Sequence, residues 1–96
     1  MKPSDVFERR REFIRETAIR YRTENPRVFG SVLHGTDVEG SDLDILVDAL
    51  PGATLFDLGG LQDALQQSLG VDVQVLTPSE LPAKFKETVL AEAMPV

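Results

Sequence analysis

The chain has 96 residues and a mass of 10.6 kDa, which predicts a single domain over residues 1–96 with one modest core. Apolar residues make up 42% and charged residues 27%, which excludes general disorder, and the longest apolar run, Ile45–Val47, is too short for a membrane span. The absence of cysteine excludes disulfides and thiolate metal sites and fits a cytoplasmic protein, and a net charge of −6 argues against nonspecific binding along a nucleic-acid backbone.

The first predicted element is an amphipathic helix over residues 4–22, with Ser4 as N-cap and Asn25-Pro26 as the stop. Its apolar positions recur at helical spacing: Val6, Phe7, Phe13, Ile14, Ala18 and Tyr21. Residues 1–27 carry a net charge of +3, because eight Lys and Arg oppose five Asp and Glu, whereas residues 28–96 carry −9. The arginines therefore form either a solvated helix face or a surface for an acidic partner.

A short strand and a helical turn follow. The β formers of residues 27–30 predict the strand, and residues 31–34 fit one helical turn that Gly35 closes. The polar residues 36–41 predict a loop. The next strand covers residues 43–48, where apolar and polar side chains alternate.

A long helix and a third strand come next. Thr54 is a candidate N-cap of a helix that ends at Gly70, with leucines three to four residues apart between them. The pair Gly59-Gly60 weakens this helix, breaks it or marks a close packing contact. Alternating valines then predict a strand over residues 71–76.

The final predicted element is a helix that Ser79 caps. Thr77-Pro78 predicts the turn before it, and one stripe of the helix carries Leu81, Phe85, Val89 and Ala93. The order of elements predicts an α/β fold in which helices pack on a small sheet.

Three aspartates form the most informative group of side chains. Asp42 and Asp44 are two residues apart in a predicted strand, so their carboxylates point to the same face. If the strand that carries Asp72 lies beside it in register, a third carboxylate joins them. Such a group suits a two-metal phosphoryl-transfer site, because divalent cations prefer oxygen ligands.

Gly30-Ser31 provides the complementary feature for a phosphate. A glycine lets a phosphate approach the backbone, and the start of a helical turn presents free N–H groups to an anion. Each feature alone is common, as a turn or as solvated carboxylates. Their combination on separate elements is what favours a nucleotide site.

The run from Gly30 to Val47, with its Gly-Ser…Ser-Asp-x-Asp pattern, resembles the signature of the DNA polymerase β-type nucleotidyltransferase superfamily. The strand around Asp72 and residues 91–96 resemble the minimal, MNT-type branch. The resemblance implies a small mixed sheet with a polymerase β palm-like core. It implies Mg²⁺, two ions in all, held by Asp42 and Asp44 with Asp72 as third carboxylate, and a triphosphate held by Gly30 and Ser31.

The same resemblance implies a partner. Members of the MNT branch act as antitoxins that transfer AMP from ATP to a tyrosine hydroxyl of a HEPN-domain toxin. The chain departs from many relatives at His34, where they have Arg. Either the imidazole is a weaker or pH-dependent phosphate ligand, or it merely packs or hydrogen-bonds on the helical turn. We place His34 and Ser41 in the phosphate-binding group, with Ser41 bracing the loop before Asp42, and expect Asp37, Glu39 and Asp48 to be solvated.

Two other functions remain open at this point. One is neutralisation of a partner by contact alone, through the arginine-rich first helix. The other is modification of a small molecule such as an aminoglycoside, although 96 residues leave no room for a separate acceptor-binding domain.

Overall fold

A four-stranded mixed β-sheet forms the centre of the structure, a computed structural model that describes residues 1–96. The strands are β1 (Thr23–Phe29), β2 (Leu43–Ala49), β3 (Val73–Leu76) and β4 (Met94–Pro95). Their order in the sheet is β3-β2-β1-β4, in which β1 is antiparallel to both of its neighbours and β2 is parallel to β3. The predicted small mixed sheet is confirmed.

Five α-helices and one 3₁₀ turn surround the sheet. The helices are α1 (Pro3–Arg9), α2 (Arg11–Arg20), α3 (Gly30–His34), α4 (Leu55–Leu69) and α5 (Ala83–Glu92), and Pro78–Glu80 forms the 3₁₀ turn. None of these helices is long and apolar enough to cross a bilayer.

The N-terminal region differs most from its prediction. Arg10, with φ −123° and ψ 21°, leaves the helical conformation and divides the predicted helix into α1 and α2. Pro3, rather than Ser4, begins the first helix. Strand β1 starts four residues earlier than predicted. Within it, Asn25 adopts a left-handed conformation, φ 52°, and the register of β1 against β2 shifts between Glu24 and Arg27. Such a bulge accommodates Pro26, which has no N–H to donate.

Smaller differences occur in the second half of the chain. β3 begins at Val73, two residues later than predicted, so Asp72 immediately precedes the strand. Ser79 lies within the 3₁₀ turn, and α5 begins only after Pro82. The turn ends at Leu81, whose backbone is extended, because the residue before a proline avoids the helical conformation.

The core lies mainly on one face of the sheet, the face that α2 and α4 cover. From β2 it contains Leu43, Ile45 and Val47, all fully buried, and they pack in one cluster with residues of both helices. The opposite face has a smaller cluster of Phe29, Leu46 and Leu81, against which α5 packs. Because each buried leucine or isoleucine contributes roughly 1.5–3 kcal/mol, the first face dominates the stability.

Three of the N-terminal arginines bind backbone carbonyls of later residues, whereas Arg9 and Arg20 are exposed. Arg10 donates to the Ser68 carbonyl at 3.3 Å, near the end of α4, and Arg15 donates to the Val96 carbonyl at 2.8 Å. Arg11 donates to the carbonyl of Pro95 at 3.2 Å. These contacts attach α2 to later parts of the chain.

Side chains also occupy the two edges of the sheet. At the β3 edge, the Oε1 atoms of Gln66 and Gln62 accept the N–H groups of Val73 and Val75 at 3.1 and 3.0 Å. At the β4 edge, Pro95 has no N–H and its carbonyl is taken by an arginine. The chain's own side chains therefore bind part of the backbone at each edge.

Helix α4 confirms its predicted ends and explains one of its glycines. Thr54 is the N-cap, its N–H bonded to Asp57 Oδ2 at 2.9 Å, and Gly70 ends the helix in a left-handed conformation, φ 70°. A Cβ at Gly60 would lie 2.7 Å from Cε1 of Tyr21, whereas a Cβ at Gly59 would meet nothing within 4 Å. Gly60 thus allows the Tyr21 ring to pack on the helix.

We predict that Gly59→Ala and Gly60→Ala change stability in opposite directions. Gly59→Ala gains about 0.5–1 kcal/mol, because alanine loses less conformational entropy in a helix. Gly60→Ala loses about 1–3 kcal/mol through overlap with the tyrosine ring. Chemical denaturation of both variants measures the change in the free energy of unfolding. Equal gains would show that the ring of Tyr21 moves aside freely.

Candidate active site

Asp42 and Asp44 stand at the start of β2, on the face of the sheet opposite the main core. The side chains of β2 alternate, so those of Leu43 and Ile45 enter the core while the two aspartates point the other way. Asp44 pairs with Phe29 across the antiparallel ladder and is half-buried, whereas Asp42 is exposed. The same-face arrangement predicted from the spacing is present.

Gly30 lies directly against the carboxylate of Asp44. The glycine has φ +73° and begins α3, and any Cβ there would overlap Oδ2 of Asp44. Its lack of a side chain therefore lets the end of β1 and the carboxylate meet. The sequence indicated a glycine for phosphate approach, but it gave no sign of this contact with Asp44.

The charge of Asp44 is uncompensated by the protein. Its carboxylate accepts no hydrogen bond and has no ion pair. Burial, together with the negative charge of Asp42, raises the pKa of Asp44 from 3.8 to about 6. Two carboxylates with uncompensated charge fit a hard divalent cation, whose positive charge offsets the cost of burying Asp44 and the repulsion between the two groups.

Asp72 lies beside Asp42 in the register of the sheet, but the three aspartates do not form one cluster. Its carbonyl accepts the N–H of Leu43 at 2.8 Å, and the register Leu43↔Val73 puts Asp72 alongside Asp42. The residue is exposed, and no three carboxylate or imidazole side chains are close enough together to hold a metal. The third ligand stays a prediction.

The expected phosphate-binding side chains have different surroundings. Ser31 is half-buried in the first turn of α3 and forms no side-chain hydrogen bond. Ser41 accepts the N–H of Val38 at 2.9 Å, which confirms that it braces the loop. His34 contacts Glu92 of α5, with 2.8 Å between Nε2 and Oε2. Their roles in binding phosphate stay predictions.

Asp37 is not solvated, and that expectation is wrong, whereas the side chain of Asp48 remains partly exposed. Asp37 is only 6% exposed and accepts the N–H of Ser4 at 2.8 Å, a bond that lowers the pKa of the Asp37 carboxyl. Asp48 pairs with Arg27 at 2.7 Å. Glu39 is exposed, as expected, and meets the N-terminal amine at 3.2 Å. Local sequence has no signal for the contact of Asp37, because its partner is 33 residues away.

A depression lies beside Asp72 at the end of the sheet, and neither Asp42 nor Asp44 lines it. It has a volume of about 340 Å³, and Ser41, Gln66 and Asp72 are among the residues that line it. A smaller one, of about 230 Å³, lies between α1, α3 and β4. The larger depression leads to the side of the site on which Asp72 is exposed.

Comparisons with known proteins agree on one family. A family model described as a nucleotidyltransferase domain matches residues 10–96. "Putative protein adenylyltransferase MJ0435" of Methanocaldococcus jannaschii is 35% identical over 81% of this chain and 84% of its own. "Protein adenylyltransferase MntA" of Thermococcus cleftensis is 37% identical over 70% of this chain and 68% of its own.

Two solved structures resemble this one. A "putative minimal nucleotidyltransferase" superimposes with a TM-score of 0.85 at 39% identity and covers 97% of this chain and 95% of its own. A toxin–antitoxin complex crystallised with AMP-PNP contains a chain with a TM-score of 0.66 at 21% identity, covering 84% of this chain and 70% of its own. The second likeness is one of fold.

We predict that Gly30→Ala is much more damaging than Gly35→Ala. Both glycines have a left-handed φ, +73° and +71°, so both variants carry a backbone strain of about 1 kcal/mol. Only the Gly30 variant also displaces the Asp44 carboxylate, because nothing lies within 4 Å of a Cβ at Gly35. Thermal unfolding of the two variants isolates the effect of the overlap, because they share the backbone strain. Equal losses of stability would mean that Asp44 is not held against Gly30.

We also predict that Asp44→Asn stabilises the metal-free protein at pH 7. Since the folded-state pKa of about 6 exceeds the unfolded value of 3.8, the wild type loses stability as the pH rises through that interval. The variant lacks this loss and gains on the order of 1 kcal/mol, allowing for solvent screening of a half-buried group. Denaturation in EDTA should show the gain at pH 7 and little of it at pH 4, whereas a loss at pH 7 would contradict the unbalanced charge.

Proposed function

The chain belongs to the nucleotidyltransferase family, and from this premise we propose that it transfers AMP from ATP to a hydroxyl group of a partner protein. The observation that carries the proposal is the pair Asp42 and Asp44, whose same-face carboxylates lack any compensating positive charge. They stand beside the glycine that opens α3. The names of the relatives, protein adenylyltransferases, favour a protein as acceptor and ATP as donor.

Asp42 and Asp44 would hold Mg²⁺, with Asp72 as a third ligand, and two ions suit the proposed reaction. The bound ions would neutralise charge on the triphosphate and lower the pKa of the attacking hydroxyl. The contribution of the protein is to hold two carboxylates at a fixed spacing on a strand whose intervening residue, Leu43, is fully buried. That rigidity sets the geometry in advance, so little reorganisation remains at the moment of reaction.

Gly30 and Ser31 would bind the triphosphate. At the start of α3 the backbone N–H groups are free of helical partners, and the Ser31 hydroxyl has no partner in the protein. His34, at the end of the same helix, has its Nε2 atom engaged by Glu92. We therefore assign the main phosphate contacts to the beginning of α3.

The acceptor hydroxyl would approach from the side of Asp72. Its oxygen forms a bond to the α-phosphorus, the bond from that phosphorus to the bridging oxygen breaks, and pyrophosphate leaves. The hydroxyl proton passes to the exposed carboxylate of Asp72. The depression of about 340 Å³ beside Asp72 offers space for the acceptor.

We propose that the partner is a toxin of the HEPN type and that AMP transfer silences it, as the resemblance of the sequence implies. One fold neighbour comes from a toxin–antitoxin complex that contains AMP-PNP. Neutralisation through a free arginine face receives less support, because Arg10, Arg11 and Arg15 bind carbonyls of this chain. Contact without transfer remains an outcome of the test below.

The test is to incubate the chain with ATP, Mg²⁺ and the protein encoded beside it, and to record intact masses. We expect one AMP increment on the partner, and a rate that falls by roughly 10²–10³-fold in Asp44→Asn. Asp63→Asn, an exposed carboxylate on α4, is the matched control and should react normally.

The other results separate the alternatives. A stable complex without any mass increment would replace transfer by neutralisation through contact. An increment that persists in Asp44→Asn would show that the proposed site is not the active one.

A further inference from the structure

The loop that leads to the catalytic aspartates has few attachments to the rest of the molecule. This carboxylate loop, residues 36–42, is joined to α3 by the N–H of Thr36, which donates to the Ser31 carbonyl at 3.0 Å. Within it, Val38 and Ser41 close a turn through two hydrogen bonds. Asp42 at its end is exposed and has no hydrogen bond of its own. Leu43, fully buried in β2, fixes Asp42 on its C-terminal side. On its N-terminal side the position of Asp42 depends on how firmly the loop is held.

Every other hydrogen bond or ion pair that leaves residues 37–42 ends in the N-terminal segment. Asp37 Oδ2 accepts the N–H of Ser4 at 2.8 Å, and Glu39 Oε1 lies 3.2 Å from the amine of Met1. The two contacts differ in burial, since Asp37 is 6% exposed while the Glu39 and Met1 groups are largely exposed. Exposed ion pairs contribute little, so the Asp37 bond is the main attachment.

The N-terminal segment is itself firmly anchored. Pro3, Val6 and Phe7 of α1 are buried, and the last two belong to the main core. The N–H of Ser4 lies in the first turn of α1, where no helical carbonyl is available to accept it. Asp37 thus satisfies a free donor of the helix, and the helix satisfies a buried carboxylate that would otherwise be costly.

This contact reaches α1, which lies before the range that the family model matches. The family model matches residues 10–96, whereas α1 ends at Arg9. The helix that receives Asp37 therefore precedes the matched nucleotidyltransferase domain. Its contact reaches the loop between α3 and β2, five residues before the first catalytic aspartate.

We infer that residues 1–9 form a clamp on the carboxylate loop and that Asp37 is the positioning residue through which the clamp holds Asp42 for the divalent cation. Asp37 does not touch the cation or the nucleotide. It restricts the loop, so that the carboxylate of Asp42 is already placed when a cation arrives and less ordering is needed on binding. The kinetic part of this inference rests on the proposed function, but its cation-binding part does not.

The experiment compares three variants of the full chain with wild type: Asp37→Ala, Asp37→Asn and Glu39→Gln. Mn²⁺ serves as probe, with its affinity measured by electron paramagnetic resonance, and thermal unfolding shows that each variant is folded. With Asp37→Ala we expect the Mn²⁺ dissociation constant to rise about 5- to 30-fold, the cost of one hydrogen bond to a charged group. Asp37→Asn keeps an acceptor oxygen and should recover part of the loss, while Glu39→Gln should stay within about twofold.

A second readout separates positioning from a purely structural role. With Asp37→Ala the Mg²⁺ concentration for half-maximal AMP transfer should rise in parallel, while the rate at saturating Mg²⁺ stays near that of wild type. Hydrogen exchange should accelerate at residues 38–43 and not in the core strands. If Asp37→Ala does not fold, Asp37→Asn answers the same question with a smaller shift.

Three results would overturn the inference. A folded Asp37→Ala that binds Mn²⁺ like wild type shows that the bond serves stability alone. An equal loss in Glu39→Gln shows that Asp37 is not the residue through which residues 1–9 hold the loop. A wild-type chain that binds no Mn²⁺ refutes both the clamp and the proposed function, whereas Mn²⁺ binding without any AMP transfer refutes the proposed function only.

Discussion

The close contact between the backbone of Gly30 and the carboxylate of Asp44 is the constraint on which the site depends. It joins three elements at one point, because Gly30 directly follows β1 and opens α3 while Asp44 belongs to β2. The antiparallel pairing of Phe29 with Asp44 sets that distance, and the left-handed conformation of the glycine turns the chain away immediately afterwards. The free N–H groups at the start of α3 and the carboxylate near the start of β2 are thereby brought together.

The same sheet serves stability on one face and chemistry on the other. Buried side chains of β2 alternate with the aspartates, so the residue between Asp42 and Asp44 is fixed in the core. The site is costly for the metal-free protein, because its charges repel and one of them is partly desolvated. The large cluster beneath α2 and α4 offsets that cost. Such a division lets the protein keep an unfavourable charge arrangement without losing its fold.

Features governed by neighbouring residues could be predicted from the sequence, and features governed by distant contacts could not. Thr54 and Gly70 mark the ends of α4 by local chemistry, and the two-residue spacing places Asp42 and Asp44 on one face. The fold class followed from the alternation of elements. The contact of Asp37 with α1 and the break at Arg10 have no local signature, because they depend on elements that meet only in the folded chain. The proposed cation-binding and phosphate-binding roles of the site residues rest on geometry and on the resemblance of the sequence.

The covered edges of the sheet restrict how another protein recognises this one. The glutamines of α4 already bind two N–H groups of β3, and Arg11 binds the carbonyl of Pro95, so an incoming strand would have to displace these side chains to extend the sheet there. Recognition then relies on side chains, which substitutions alter far more readily than they alter a backbone. Two closely related chains in one cell can for that reason diverge in the proteins they accept while keeping the same catalytic fold.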